Sequence, residues 1–194
     1  MAETVARNSA LAGRTEPRHL GIIGADGPGL RLSERAVDSL WLVGAWPGHL
    51  PSVGEAVSAA IEVGAAPGPG RAAFGARGMA LRVEPAKWLV AGDNTLIRPD
   101  VAPEAGTVLD LSHARTVIRI DGRMARALMA RLVAIDLRPG QFEDGTVAAT
   151  GIEGMGVTLL ARAGGIELLV FRSFAAALWD LMLDTGAQFG VEIS

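Results

Sequence analysis

The chain has 194 residues, a formal net charge of −3 at pH 7 and no cysteine. This acidic balance lacks the basic face that nucleic-acid binding requires, and the absence of cysteine excludes disulfides and thiolate chemistry, which favours a reducing, cytoplasmic location. Apolar residues make up 49% of the sequence, yet no uninterrupted apolar run approaches the ~20 residues of a membrane-spanning helix. We therefore expect neither a nucleic-acid partner nor a membrane.

The first thirty residues show no lasting hydrophobic period. Residues 1–20 alternate small and charged types, which is typical of a mobile segment that can order against a partner. The glycine-rich stretch 21–29 resembles a phosphate-binding loop, but Leu32 occupies the place of the third motif glycine. Pro28 also lacks the N–H group that would bind a phosphate. We therefore predict a flexible arm over residues 1–30.

The following part of the chain combines strand patterns with one predicted helix. Ser52 is expected to cap this helix, because Glu55 follows three places later as a capping-box partner. Apolar residues in alternation, or in short runs, predict strands on both sides of the helix. These strands cover residues 37–43, 79–83 and 87–91.

The stretch 107–122, TVLDLSHARTVIRIDG, carries the clearest strand pattern in the sequence. Its apolar residues alternate with polar ones, as in half-buried strands. Gly122 ends this pattern, and over residues 123–133 apolar side chains recur at four-residue steps, with Leu128 at the centre. This spacing predicts an amphipathic helix packed on a sheet.

The C-terminal part repeats the order of strands and a helix. Three strands are predicted over residues 146–152, 157–162 and 166–171. Ser173 is expected to cap the last helix, Leu178 lies on its apolar face, and Gly186 stops it. Because strands and helices do not alternate as in βαβ units, the pattern predicts an α+β fold with antiparallel or mixed sheets and packed helices. We expect one domain over 31–194, with halves at 31–106 and 107–194.

Few residues suggest catalysis. The three histidines lie far apart in the sequence, without a carboxylate or second histidine at metal-ligand spacing, so we expect no metal site. Adjacent residues on a strand point to opposite faces, which argues against a catalytic Ser–His pair at 112–113. We interpret the polar residues here as a hydrogen-bonded strand end that fixes a turn, and a polar patch facing a ligand or another subunit is the alternative. They are Asp110, Ser112, His113 and Arg115.

The last helix contains a candidate subunit interface. Asp180 and Asp184 stand four residues apart on one helix face, and Asp184 lies at the negative end of the helix dipole. A basic partner surface would explain this arrangement, although a solvated face tolerates it as well. Trp179 lies beside the buried stripe, and tryptophan is enriched at interface centres, but a place in the core is the favoured interpretation. Trp179, Asp180 and Asp184 are thus candidate interface residues, and no catalytic or cofactor-binding residues are predicted.

Three segments carry a family resemblance through their order and spacing. DLSHARTVIRIDG (110–122), IDLRPGQF (135–142) and LLVFRSFAAALWDLM (168–182) are similar to the gamma subunit of heterotetrameric sarcosine oxidase. GMALRVEPAKWLVAG (78–92) resembles the middle section of the same family. The matching positions are Asp110, Ser112, His113, Arg115, Gly122, Asp136, Leu137, Pro139, Phe142, Arg172, Ser173, Phe174, Ala175, Leu178 and Trp179.

The resemblance implies a folate-binding aminomethyltransferase-like fold and a role as a small non-catalytic subunit. Complexes of this family oxidatively demethylate sarcosine to glycine, with one-carbon transfer to tetrahydrofolate and formation of hydrogen peroxide. The implied partners are larger flavin-bearing alpha and beta subunits and a small delta subunit. FAD, FMN, NAD and tetrahydrofolate would bind to these partners, and no cofactor is implied for this chain.

Three alternatives remain open at the level of the sequence. The chain resembles the equivalent subunit of N-methylglutamate dehydrogenase complexes, so the N-methyl amino acid is undetermined. A free-standing folate-binding or aminomethyltransferase-like protein is the second alternative, although the acidic folate-holding motif is not recognisable. A homodimer that covers its own apolar surface is the third.

Overall fold

The computed structural model describes residues 8–92 and 97–194. The described residues form two β-sheets and three α-helices, which confirms the α+β class. In chain order the strands are β1 (Arg18–Leu20), β2 (Leu30–Arg35), β3 (Ser39–Ala45), β4 (Ala72–Gly75), β5 (Gly78–Glu84), β6 (Lys87–Gly92), β7 (Gly106–Asp110), β8 (Arg115–Asp121), β9 (Val147–Ile152), β10 (Met155–Arg162), β11 (Gly165–Phe171) and β12 (Val191–Ile193). The helices are α1 (Leu50–Ile61), α2 (Ala125–Leu132) and α3 (Ala175–Gly186).

The two sheets do not follow the two halves of the sequence. The larger sheet has the strand order β1-β12-β2-β8-β11-β10-β9, and the smaller has the order β4-β5-β6-β3-β7. Strand β2 of the first half therefore lies in the larger sheet, and β7 of the second half lies in the smaller one. The division predicted at 106/107 thus differs from the division into sheets. The pairings are antiparallel except for β12 with β2, which makes the larger sheet mixed.

The elements pack as four layers: α2 with α3, the larger sheet, the smaller sheet, and α1. Because successive strand residues point to opposite faces, each sheet contributes to two cores. Ile118 on β8 packs with the helices α2 and α3, whereas Val117 packs between the sheets. Leu89 on β6 joins Val117 between the sheets, and Val90 packs towards α1. Both sheets are therefore covered on both faces over most of their width.

The helix starts differ from the predicted ones. Helix α1 begins at Leu50 after His49, with Pro51 in its first turn, where a missing N–H group costs nothing. The Ser52 hydroxyl donates a hydrogen bond to the His49 carbonyl at 3.0 Å, so the predicted cap at Ser52 is wrong. Likewise, a 3-10 turn over Arg172–Phe174 precedes α3, which removes Ser173 from the N-cap position.

Parts of residues 8–30, the described portion of the predicted flexible arm, pack against the rest of the chain. Leu11 is fully buried in the core beneath α2 and α3, and the Ser9 hydroxyl donates a hydrogen bond to Glu34. Strand β1 pairs with β12, and its His19 lies opposite Glu192. Residues 9–11 and 18–20 thus have defined neighbours, whereas residues 21–26 are exposed. Residues 1–7 of the predicted arm lie outside the described residues.

No helix in the described ranges has the length and apolar character needed to cross a membrane.

Candidate functional site

The polar residues at 110–115 form a turn between the two sheets. The backbone N–H of Ser112 donates to the Asp110 carboxylate at 2.8 Å, and the Ser112 hydroxyl accepts a hydrogen bond from the N–H of Leu40 at 3.0 Å. These contacts agree with the prediction of a hydrogen-bonded strand end, and His113 is exposed beside it. Hydrogen bonding to Ser112 lowers the pKa of Asp110 below its ordinary value of 3.8. Its stabilising contribution is therefore present above that pH and lost as the pH falls further.

Arg115 lies against an aromatic ring at one end of the space between the sheets. Its guanidinium carbon is 3.4 Å from the centre of the Phe171 ring, because the two residues are directly opposed on β8 and β11. Burial lowers the pKa of Arg115. Both residues line a cavity of about 250 Å³ whose other walls are mostly apolar, including Leu42 and Leu89.

The three candidate interface residues do not share one environment. Trp179 is completely buried in the core between α3 and the larger sheet, which confirms the favoured core placement over a place at the surface. Helix α3 buries a wider stripe than its spacing indicated, so both Leu178 and Trp179 point inwards. Asp180 is exposed and forms an ion pair with Arg14 of the same chain. Asp184 is also exposed, so the two aspartates remain surface residues.

A group of charged side chains lies at the other end of the space between the sheets. Arg35, Arg119 and Arg162 surround Glu167, whose side chain is only 2% exposed. The Glu167 Oε1 atom lies 3.2 Å from Arg35 Nε, 3.6 Å from Arg119 Nη1 and 3.7 Å from Arg162 Nη1. These residues line a cavity of about 480 Å³, which we call the charged pocket. The described residues that line it are Ser33, Glu34, Arg35, Ala36, Asp38, Arg119, Arg162 and Glu167.

Strand register assembles this pocket. Glu167 on β11 is directly opposite Arg119 on β8, and both lie two positions from apolar residues that fill the space between the sheets, Leu169 and Val117. Side chains two positions apart on a strand share a face. The lining of the space between the sheets therefore changes from apolar, at Val117 and Leu169, to charged, at Arg119 and Glu167. Arg35 at the end of β2 and Arg162 at the end of β10 also lie close to Glu167.

Arg119 is held firmly within the pocket. It forms a side-chain pair with Asp121, with Nε 2.9 Å from both carboxylate oxygens, and donates to the carbonyl of Arg162 at 2.6 Å. Hydrogen bonding to Asp121 raises the pKa of Arg119. Gly165 provides the space for this pair, since an added Cβ would lie 2.6 Å from Arg119 Nη2. Any larger residue at position 165 would therefore collide with the Arg119–Asp121 pair.

Sequence reasoning missed the charged pocket because its four central charged residues, on β2, β8, β10 and β11, come from four separate strands. The available signal was local: Glu167 interrupts the apolar run GIELLVF of β11, and Arg119 interrupts VIRID of β8. A charge inside a strand that is buried on both faces requires a partner. The partner could not be identified, because the sequence alone does not determine which strands pair.

The described side chains of this pocket are suited to binding a charged group. Guanidinium groups remain protonated throughout the physiological range and serve as donors to carboxylates or phosphates. No cluster of three or more His, Cys, Asp or Glu suited to a metal ion occurs in the ranges 8–92 and 97–194. The arrangement can therefore hold a charged ligand, with Glu167 fixing the arginines in place.

The sequence matches no protein-family model and no curated protein. Among solved structures, it is similar to a chain of the heterotetrameric sarcosine oxidase from Corynebacterium sp. U-96, solved in complex with pyrrole 2-carboxylate. The identity is 24% and the TM-score 0.75, over 94% of this chain and 96% of that chain. It is also similar to the glycine cleavage system aminomethyltransferase T from Bartonella henselae, with 14% identity and a TM-score of 0.60, over 92% of this chain and 57% of the other. The chain therefore has the folate-binding aminomethyltransferase-like fold.

Proposed function

We propose that the chain is the small, non-catalytic gamma subunit of a heterotetrameric sarcosine oxidase. The observation that carries this proposal is the fold match to a chain of that enzyme over 94% of one chain and 96% of the other. Because the match covers both chains almost completely, the neighbour is a chain of similar length and not one domain of a large subunit. The segments at 110–122, 135–142 and 168–182 support the same subunit by resemblance.

The proposed role is assembly of the complex. In it, the larger alpha and beta subunits bind FAD, FMN and NAD, the alpha subunit binds tetrahydrofolate, and a small delta subunit completes the complex, which works in the cytoplasm. It converts sarcosine to glycine, with one-carbon transfer to tetrahydrofolate and hydrogen peroxide formation. An N-methylglutamate dehydrogenase complex is the alternative host, since its small subunit has similar motifs.

A free-standing folate-binding or aminomethyltransferase-like protein is the second candidate. The likeness to the Bartonella henselae aminomethyltransferase favours it, with a TM-score of 0.60. The chain spans little more than half of that protein, 57% of its length, which weighs against a complete aminomethyltransferase. Binding of tetrahydrofolate by the lone chain would favour this candidate over the subunit role.

The lone chain is expected to be colourless and to form no hydrogen peroxide from sarcosine. Co-expressed with the larger subunits, a tagged chain should instead purify with yellow, flavin-containing polypeptides and sarcosine oxidase activity. The measurements are the visible absorbance spectrum, gel electrophoresis and a peroxide assay on both preparations. Flavin absorbance in the lone chain, or a tagged chain that leaves the larger subunits behind, would contradict the proposed role.

Reversing both exposed aspartates of α3 tests whether this helix contacts a partner. The double variant Asp180→Lys, Asp184→Lys should fold as a lone chain, because the surface pair of Asp180 with Arg14 is the type that contributes about 0–1 kcal/mol. Co-purification with the larger subunits should weaken, since reversed charges would face a basic partner surface. Circular dichroism and pull-down at low and high salt are the measurements.

The matched control is Glu55→Lys, which reverses one exposed charge on α1, in the outer layer opposite α3. Its co-purification should equal that of the unchanged chain. Unchanged co-purification of the double variant at both salt concentrations would place α3 away from the interface. Asp180 and Asp184 would then belong to a solvated helix face.

A further inference from the structure

Two phenylalanine side chains are exposed close together where β11 leads into α3. Phe171 ends β11, Phe174 directly precedes α3, and each is 42% exposed. They lie three positions apart across the 3-10 turn before α3, and side chains at this spacing in a 3-10 helix lie on the same side. The two rings therefore form one apolar surface, unlike the single exposed apolar residues that are normal on proteins.

A shallow depression of about 560 Å³ adjoins Phe171. The described residues that line it are Ala10, Ala114, Phe171, Arg172 and Ser173. Together with Phe174 we call them the aromatic surface. The Arg172 backbone N–H donates to the Ala114 carbonyl at 2.9 Å, and the Arg115 guanidinium lies over the Phe171 ring. The depression is thus preformed in the lone chain, so a partner could bind without much further ordering of these side chains.

Arg172 is the one charged residue in the described lining of the depression. Its side chain is partly buried, and no carboxylate within residues 8–92 and 97–194 forms an ion pair with it. A guanidinium in this setting favours a partner that supplies a carboxylate, because charge-assisted hydrogen bonds are stronger than neutral ones. Aromatic residues and arginine are also the types enriched at protein–protein interfaces.

The aromatic surface is continuous with the exposed face of α3. Ala10 lines the depression, and Arg14, four residues later, pairs with Asp180 of α3. Phe174 lies four positions before the fully buried Leu178, so it extends the apolar stripe of α3 beyond the part that the chain itself covers. One side of the molecule therefore presents both exposed aromatic rings and the charges of α3.

We propose that the aromatic surface is the contact site for a larger, flavin-bearing subunit. A segment of that subunit places an apolar side chain in the depression, against the two rings, and a carboxylate beside Arg172. Burial of the rings supplies apolar contact area, and the ion pair fixes the orientation of the partner. This inference rests on the proposed function, because it names the surface through which the subunit would be bound.

The test is co-purification of a tagged chain co-expressed with the larger subunits. Phe174→Ser removes a ring that is only partly buried, and recovery of the larger subunits should fall about tenfold or more. The matched control is Phe74→Ser. Phe74 is 41% exposed, and its ring lies 5.1 Å from Arg162, at the other end of the space between the sheets. This control should leave recovery unchanged, and circular dichroism confirms folding of both variants.

Two changes at Arg172 test the chemistry of the partner. Arg172→Glu should reduce recovery of the larger subunits, because a carboxylate would then face a carboxylate. Arg172→Lys keeps the positive charge and should recover more of the larger subunits than Arg172→Glu. Equal recovery by these two variants would overturn the acidic character assigned to the partner segment.

A photocrosslinker identifies what occupies the surface. Phe174 is replaced by p-benzoylphenylalanine, which keeps an aromatic ring and so keeps the test decisive if Phe174→Ser fails to fold. Irradiation of the complex should link this position to a larger subunit, and the same replacement of Phe74 should give no such link. A link between two copies of this chain would assign the surface to a homodimer and overturn the proposal. Unchanged recovery with a folded Phe174→Ser protein would overturn it as well.

Failure of this inference differs from failure of the proposed function. If the unchanged chain itself leaves the larger subunits behind, the proposed function is wrong and the contact site falls with it. If the unchanged chain co-purifies and the variants of the aromatic surface do so equally well, only the contact site is wrong.

Discussion

Replacing Leu178 by alanine is expected to lower the free energy of unfolding by about 2–5 kcal/mol. Leu178 lies in the middle of α3 and is fully buried between the helix and the larger sheet. Removal of its side chain leaves a cavity that a sheet and a second helix cannot readily fill. Leu128 on α2 is equally buried in the same core, and Leu128→Ala should have a similar effect. Urea denaturation measures both losses of stability. The transition midpoint should fall, while the dependence of the unfolding free energy on urea concentration should stay unchanged.

Leu109→Ala is the matched control for these two variants. Leu109 lies on the edge strand β7 and is 53% exposed, so the same chemical change should cost about 0.5 kcal/mol or less. If Leu178→Ala destabilised the chain no more than this control, α3 would not pack on the larger sheet as described.

Glu167→Gln is expected to destabilise the chain by about 3–5 kcal/mol, because it removes one partner from a buried ionic cluster. The side chain is almost isosteric, so lost packing contributes little. Arg35, Arg119 and Arg162 would remain around a neutral amide, without the carboxylate that now lies 3.2–3.7 Å away. Chemical denaturation at neutral pH and low salt is the measurement.

Glu84→Gln provides the comparison for this effect. Glu84 pairs with Lys87 at 2.8 Å, but both side chains are about half exposed, and such surface pairs contribute about 0–1 kcal/mol. If Glu167→Gln lowered the free energy of unfolding as little as Glu84→Gln, the three arginines would be well solvated. The description of Glu167 as the buried counter-ion of the pocket would then be wrong.

Local periodicity predicted most elements of the fold. The strands at 147–152, 155–162 and 165–171 lie within a few residues of their predicted positions, because alternation and turn residues are properties of short segments. Helices α2 and α3 were also recognisable from their four-residue steps, and Leu128 and Leu178 are buried as expected.

Long-range pairing accounts for what the sequence did not reveal. The short strand β1 is stabilised by β12, at the far end of the chain, and no local pattern marks such a pair. The sequence left Trp179 between core and interface, because the width of the buried stripe on α3 depends on what packs against it. The charged pocket depends on the register of β8 with β11, which is likewise set by tertiary structure.

The position of β12 in the larger sheet has a consequence for biosynthesis. Residues 191–193 lie between β1 and β2, pairing with both, so until this segment has left the ribosome β1 lacks its partner β12 and β2 can pair only with β8. The smaller sheet is made entirely of residues 72–75, 78–84, 87–92, 39–45 and 106–110, and all of its strands emerge earlier. Translation thus separates the two sheets in time, and β1 must wait, unpaired, until residues 191–193 have been synthesised.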